Sequence, residues 1–326
     1  MRLPVLLLLS LAGVVLVVAV GCAPRISLFG SGSDALAEFV LQGEAEDKVA
    51  LIHVRGVLTT DPGSSMLGER PSIVQQTAAR LALAAEDESV GAVVLAIDSP
   101  GGSVTASDIL HELIMRHKEE TGQKVVAAFL TLATSGGYYM AASCDEIVAH
   151  PTTVTGSIGT VLIMPRVKGL MDTLGIEVEM ITSGALKDMG SPFRHMTGQE
   201  RELLTTIILE HNSRFLDIVA TGRGLDEGEV SAFSDARILT ANQALELGLV
   251  DSLGYMDDAV ERAIDLAGLD QDATVVVYRY NENLDDTPYN TSMALSSAPL
   301  IDTGLADFLA TPRTGFYYLW APEFDQ

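Results

Sequence analysis

Two continuous apolar runs, 91–97 and 124–130, each close on a glycine turn that leads into a helical pattern. A run with no polar alternation is what a strand covered on both faces requires. Further strand candidates lie at 49–54, 146–149, 159–163, 177–181 and 273–278. Helical periodicity covers 71–86, with Pro71 near its first turn, then 106–120, 138–143 and 199–219. Shorter helices are expected at 226–233, 241–247 and 257–267. Strand, turn, helix and strand in repetition imply right-handed crossovers and a mostly parallel sheet. Sparse aromatics, with alanine, valine, leucine and glycine dominant, suit helices packed closely on that sheet. In an open α/β sheet, functional groups gather where strands end and helices begin, and both glycine turns fall at such places.

The ends of the chain read differently. Residues 3–20 are almost wholly apolar after a single arginine, and Gly21-Cys22 follows. A charged start, an apolar run and a small-residue exit describe an export signal, and the run is also long enough to span a bilayer. Ala19-Val20-Gly21-Cys22 is similar to a bacterial lipobox, in which Cys22 would be lipidated; the other reading is an uncleaved membrane anchor. Both place the remainder on the extracytoplasmic side of the cell membrane. Residues 1–22 are therefore expected to be signal or anchor, 23–47 a linker with one short helix, 48–282 the folded domain, and 283–326 a tail that is poorly ordered or contacts other subunits. With 20 Lys+Arg against 44 Asp+Glu, the formal charge of −24 excludes a nucleic-acid partner and suits solubility. Two cysteines, Cys22 and Cys144, make no disulfide framework, and no metal-ligand spacing is present. Cys144 reads as a small buried residue.

Three stretches carry possible chemistry. Ser135 follows a buried strand and precedes Gly136, Gly137 and a helix, so its hydroxyl sits beside helix N-terminal amides that can stabilise an oxyanion. On the local pattern alone, a nucleophile and a helix N-cap both fit. The turn Ser99-Pro100-Gly101-Gly102 ends another buried strand and offers a second amide donor, or only a turn. Lys187 stands in a Gly-, Ser- and Pro-rich loop after a strand candidate; a lysine is a base only when neutral, and most lysines are simply exposed. Of the histidines, His111 and His117 lie on one helix and look surface-facing, His150 ends a strand, and His195 is in the lysine loop. A Ser/His/Asp triad stays open, since its members need only meet in space.

Taken together, five stretches resemble the SppA-type signal peptide peptidases, serine proteases related in fold to ClpP and the crotonases. They are Ile97-Asp98-Ser99-Pro100-Gly101-Gly102, Thr134-Ser135-Gly136-Gly137-Tyr138-Tyr139-Met140-Ala141, Thr155-Gly156-Ser157-Ile158-Gly159, Ser183-Gly184-Ala185-Leu186-Lys187-Asp188-Met189-Gly190-Ser191-Pro192 and Ala244-Leu245-Glu246-Leu247-Gly248-Leu249-Val250-Asp251. The resemblance implies a ClpP/crotonase-like α/β fold of repeated β-β-α units, with a mostly parallel sheet and C-terminal helices. It implies Ser135 as nucleophile, Lys187 as general base, the Gly102 and Gly136 amides as oxyanion hole, and Ser157 as the group orienting the lysine. It also implies a homo-oligomer whose sites are shared between protomers, apolar peptide substrates such as signal-peptide remnants, and no cofactor or metal. The alternatives are a crotonase-like acyl-CoA enzyme and a catalytically inactive lipoprotein scaffold of the same fold. Thr134 stands where the family usually has alanine, and Ser234-Asp235-Ala236-Arg237-Ile238 replaces a more usual Asp-Gly-Arg-Val.

Overall fold

The computed structural model describes residues 35–65, 68–281, 286–290 and 314–320, so the leader and Cys22 lie outside the described residues. The chain opens with β1 (Ala37–Gln42), β2 (Lys48–Arg55) and a short hairpin, β3 (Gly63–Ser65) with β4 (Gly68–Arg70). Then come α1 (Ile73–Glu86), β5 (Val90–Ser99), β6 (Gly101–Ser103), α2 (Val104–Thr121), β7 (Lys124–Thr134) and α3 (Gly136–Ala141). Three strands follow, β8 (Glu146–Ala149), β9 (Val154–Gly156) and β10 (Val161–Ile163), and then α4 (Lys168–Leu174) and α5 (Gly198–Arg223). The last part holds α6 (Glu227–Ser231), β11 (Ile238–Thr240), α7 (Ala241–Glu246), β12 (Ser252–Leu253), α8 (Met256–Ala267), β13 (Thr274–Arg279) and β14 (Gly315–Leu319).

The main sheet runs β1-β13-β2-β5-β7-β8-β12, with β9 on the far end of β7 and β11 on β9. From β13 to β12 every pairing is parallel, and β11 runs against its neighbour β9. The apolar runs become central strands because both faces are covered. Val49, Leu51, Ala92, Val94, Ala96, Val126, Ala128 and Val148 face Met256, Ala259, Val260, Ala263 and Ile264, the inward stripe of α8. The alternate side chains, Ile52, Val93, Leu95, Ile97 and Phe129 among them, are equally buried on the face that α1 and α2 cover. Each such valine or leucine contributes roughly 1.5–3 kcal/mol. This is the mostly parallel α/β architecture that the order of elements predicts.

Four local expectations change. Within the presumed linker, 37–42 is not helix but edge strand β1, because Phe39 and Leu41 alternate onto the core and the Arg279 guanidinium lies 4.6 Å from the Phe39 ring centre. The segment 177–181 is not a strand: its Glu/Val/Glu/Met alternation has no neighbouring strand to pair with, and Ile181 is 95% exposed. His117 is buried rather than surface-facing, because its Nε2 meets Gln123 Oε1 at 2.8 Å and the Gln123 amide donates to the Ala84 carbonyl. His111 is half-buried, edge-on to the Tyr139 ring. Finally, 315–319 of the expected tail is an ordered strand inside a second sheet of order β10-β14-β6, with the Tyr318 side chain fully buried.

Candidate active site

The end of β7 and the start of α3 meet at Ser135, whose backbone lies at φ 53° and ψ −118°, a region suited to glycine. Its amide donates to the Gly156 carbonyl at 2.8 Å, and its own carbonyl accepts from Tyr139 N–H at 2.8 Å. The hydroxyl makes no cap bond, which removes the N-cap reading. Ser135 Oγ is buried without a hydrogen-bond partner among the described residues, and so is Thr134 Oγ1 beside it. No histidine therefore engages Ser135 within the protomer.

Glycines bring the second turn against the first. A Cβ on Gly102 would stand 2.0 Å from the Leu58 carbonyl oxygen, and one on Gly136 would stand 2.2 Å from Ser107 Oγ. At Gly101, where φ is +99°, a Cβ would come within 2.7 Å of the Gly136 amide nitrogen. The β5–β6 turn and the α3 N-terminus thus touch backbone to backbone, and their amides share one locus. Ser99 holds the turn, its hydroxyl donating to the Gly56 carbonyl at 2.7 Å and accepting from Gly101 N–H at 3.1 Å.

Ser157 adjoins the same locus. It follows Gly156, the acceptor of the Ser135 amide, and its own amide donates to the Arg237 carbonyl at 2.8 Å. That carbonyl belongs to the turn in which Ala236 departs from the family pattern, and Ala236 sits at φ 61°. A left-handed alanine costs about 1–2 kcal/mol. Ala236→Gly should therefore raise stability by about 0.5–1 kcal/mol after the added freedom of the unfolded chain, read from the urea midpoint. A lower midpoint would show that the methyl's contacts outweigh the strain.

Lys187 lies apart. It is exposed, in the loop between α4 and α5, with its amide bonded to the Gly184 carbonyl at 3.1 Å. Within one protomer no hydrogen bond joins it to Ser135 or Ser157. Its loop is nonetheless tied down by a clamp that the sequence reading missed. Arg194 donates to both Asp188 oxygens at 2.7 and 2.8 Å and to Glu200 Oε2 at 2.9 Å. Glu200 is buried and caps α5 reciprocally with Thr197. The sequence signal was available: Thr197 and Glu200 stand at capping-box spacing, with an arginine just before. The Arg194 guanidinium, with the Thr197 amide, pulls the Glu200 carboxyl down to about 2, and Arg194 likewise lowers Asp188. Because the folded value is depressed, the clamp is complete above about pH 5 and is lost only as pH falls toward the folded value. Arg194→Gln should loosen 184–196, read as faster amide exchange there. Unchanged exchange in that variant would mean the clamp does not hold the loop.

Cys144 is buried behind α3, and desolvation pushes its thiol up to about 12, so it is no nucleophile. Among the described residues no cluster of metal-ligating side chains occurs, and no helix is long and apolar enough to cross a membrane.

Residues 117–270 match Peptidase family S49. A putative signal peptide peptidase SppA of Enterococcus faecium is 36% identical over 251 residues, covering 76% of this chain and 72% of its own. Protease 4 of Haemophilus influenzae is 30% identical over 291 residues, 85% of this chain but 45% of that protein. Among solved structures, a ClpP1 mutant of Listeria monocytogenes aligns with TM-score 0.42 and 15% identity over 64% of this chain and 94% of its own.

Proposed function

The chain belongs to peptidase family S49 and is a serine peptidase, and from that premise we propose that it hydrolyses apolar peptides through a dyad of Ser135 and Lys187. The observation that carries the reading is the Ser135 hydroxyl, buried, unpaired and set in a strained backbone beside the helix amides. Such strain persists only where the surroundings impose it, and it aims Oγ away from any local bond. In this reading uncharged Lys187 takes the Ser135 proton as Oγ attacks the carbonyl. The oxyanion accepts from the Gly102 and Gly136 amides, each such donor being worth about 3 kcal/mol. Lys187 then protonates the leaving amine and activates the water that releases the acyl group, while Ser157 orients the lysine.

The exposed position of Lys187 supports a site completed by a second protomer. The loop that carries it is flanked by uncovered apolar side chains, with Leu170 at 62%, Leu174 at 61% and Ile181 at 95% exposure. An apolar stretch of this kind fits against another copy of the chain. Residues 1–22 would hold the assembly on the extracytoplasmic membrane surface, either as an anchor or through lipidated Cys22, near signal-peptide remnants. The test is a peptide-library digest by wild type and Ser135→Ala side by side. Cuts next to apolar residues, present with the first and absent with the second, are expected. The same cuts from both proteins would overturn the reading.

A further inference from the structure

Three helices meet at one carboxylate beside the site. Asp108 stands in the second turn of α2, the helix that begins directly after the Gly102 turn and is capped there by Ser103, whose hydroxyl accepts from Ala106 N–H at 3.2 Å. Its Oδ1 accepts from the Tyr139 hydroxyl at 2.6 Å and from Arg214 Nε and Nη2 at 2.9 and 2.6 Å. Tyr139 is on α3, where its amide donates to the Ser135 carbonyl at 2.8 Å, and Arg214 is on α5. The residue before Asp108 lies equally close to the nucleophile's neighbour. The space that a Cβ on Gly136 would need is taken by Ser107 Oγ, which itself donates to the Ser103 carbonyl at 3.0 Å.

The two sides of this junction differ in burial. The Tyr139 side chain is wholly buried, so its hydroxyl requires a partner. The Asp108 and Arg214 side chains are 36% and 56% exposed, and an ion pair that open adds little to stability. Burial pushes the Asp108 carboxyl up, but Tyr139 and Arg214 outweigh it and hold the carboxyl below its usual range. Asp108 is thus a charged acceptor at neutral pH, and charged acceptors make short, directional bonds. What the junction supplies is direction more than stability. It limits how far α3 can turn against α2, and these helices start at the two proposed oxyanion amides, Gly136 and Gly102.

We propose that Asp108 is a positioning residue for the reaction: through the Tyr139 hydroxyl it fixes α3, and with it Ser135 and the Gly136 amide, against the turn that offers the Gly102 amide, while Arg214 holds the carboxylate in place. The proposal deepens the reading of Ser135 as nucleophile and rests on it. A residue that acts on the geometry of the reacting groups should change the rate of the chemical step and leave substrate binding alone.

The test uses full-length protein and reads Ser135 directly, as its rate of labelling by a fluorophosphonate, beside kcat and KM on a peptide. Tyr139→Phe removes only the donor hydroxyl and leaves Asp108 paired with Arg214, so it orphans no buried polar group. It should slow labelling and kcat about tenfold with KM within about twofold of wild type. Asp108→Ala should do the same, and the double variant should be no slower than either single one, since all three break the same bond. Asp108→Asn keeps an oxygen for the Tyr139 hydroxyl and should recover most of the loss, at a urea midpoint close to wild type. Wild-type labelling in both Tyr139→Phe and Asp108→Ala, even at a lowered urea midpoint, would leave Asp108 a merely structural residue and overturn the proposal. A double variant whose loss is the product of the single losses, or a loss confined to KM, would overturn it as well. The Ser135→Ala control separates the two ways of failing. Labelling that survives there defeats the nucleophile itself and the Asp108 role with it; no labelling there, with wild-type rates in the other variants, defeats the Asp108 role alone.

Discussion

Ser135→Gly is expected to give a protein that is more stable than wild type and does not cut peptides. At φ 53° and ψ −118° a serine stores about 1–3 kcal/mol of backbone strain that glycine does not pay. The unpaired buried hydroxyl adds a desolvation penalty of about 1–3 kcal/mol, removed with the side chain. Against this stands the greater freedom of glycine in the unfolded chain, about 0.5–1 kcal/mol. The balance favours the variant by about 1–5 kcal/mol, visible as a higher urea midpoint at unchanged slope. Hydrolysis should fall on the order of 10⁵-fold, since nothing remains to form the acyl-enzyme. Ser135→Ala is the control: equally inactive, but still strained, and so closer to wild type in stability. A glycine variant less stable than wild type would mean the serine is held by contacts that the geometry does not reveal, and its claim to be a nucleophile would weaken with them.

The second large effect concerns Lys187. Lys187→Ala should be as inactive as Ser135→Ala, with assembly and thermal unfolding unchanged because the side chain is exposed. The informative experiment mixes the two inactive proteins. If each site takes its serine from one subunit and its lysine from the next, random co-assembly restores roughly a quarter of the sites. Sites confined to one subunit would stay dead in the mixture at any ratio. Activity of Lys187→Ala alone, near wild type, would remove the lysine from the chemistry altogether.

Legibility in the sequence followed the physics of each signal. Central strands were plain because a strand covered on both faces must be apolar throughout, as 91–97 and 124–130 are. Helix positions followed from periodicity and caps. The Ser135 turn was visible as a strand–Ser–Gly–Gly–helix junction, but its strain was not, since φ and ψ are set by the contacts of Gly101, Gly136 and Gly156. Alternation misled at 177–181, where a period of two exists without a partner strand, and went unrecognised at Phe39 and Leu41, where one does. The place of β14 could not be read, because pairing across more than 200 residues leaves no local trace. His117 looked solvent-facing until Gln123 closed over it. The association of Lys187 with Ser135 came from family resemblance, and the single protomer does not bring the two together.

The contact between the glycine turns has a consequence for how such a peptidase can diversify. Where main chain presses on main chain, as Gly102 does on Leu58, the position of the reacting groups is independent of the identity of nearby side chains. Tyr139 and Phe215, by contrast, meet through their side chains, ring against ring at 4.9 Å. Side chains around the site can therefore change in the course of evolution while that main-chain contact stays as it was.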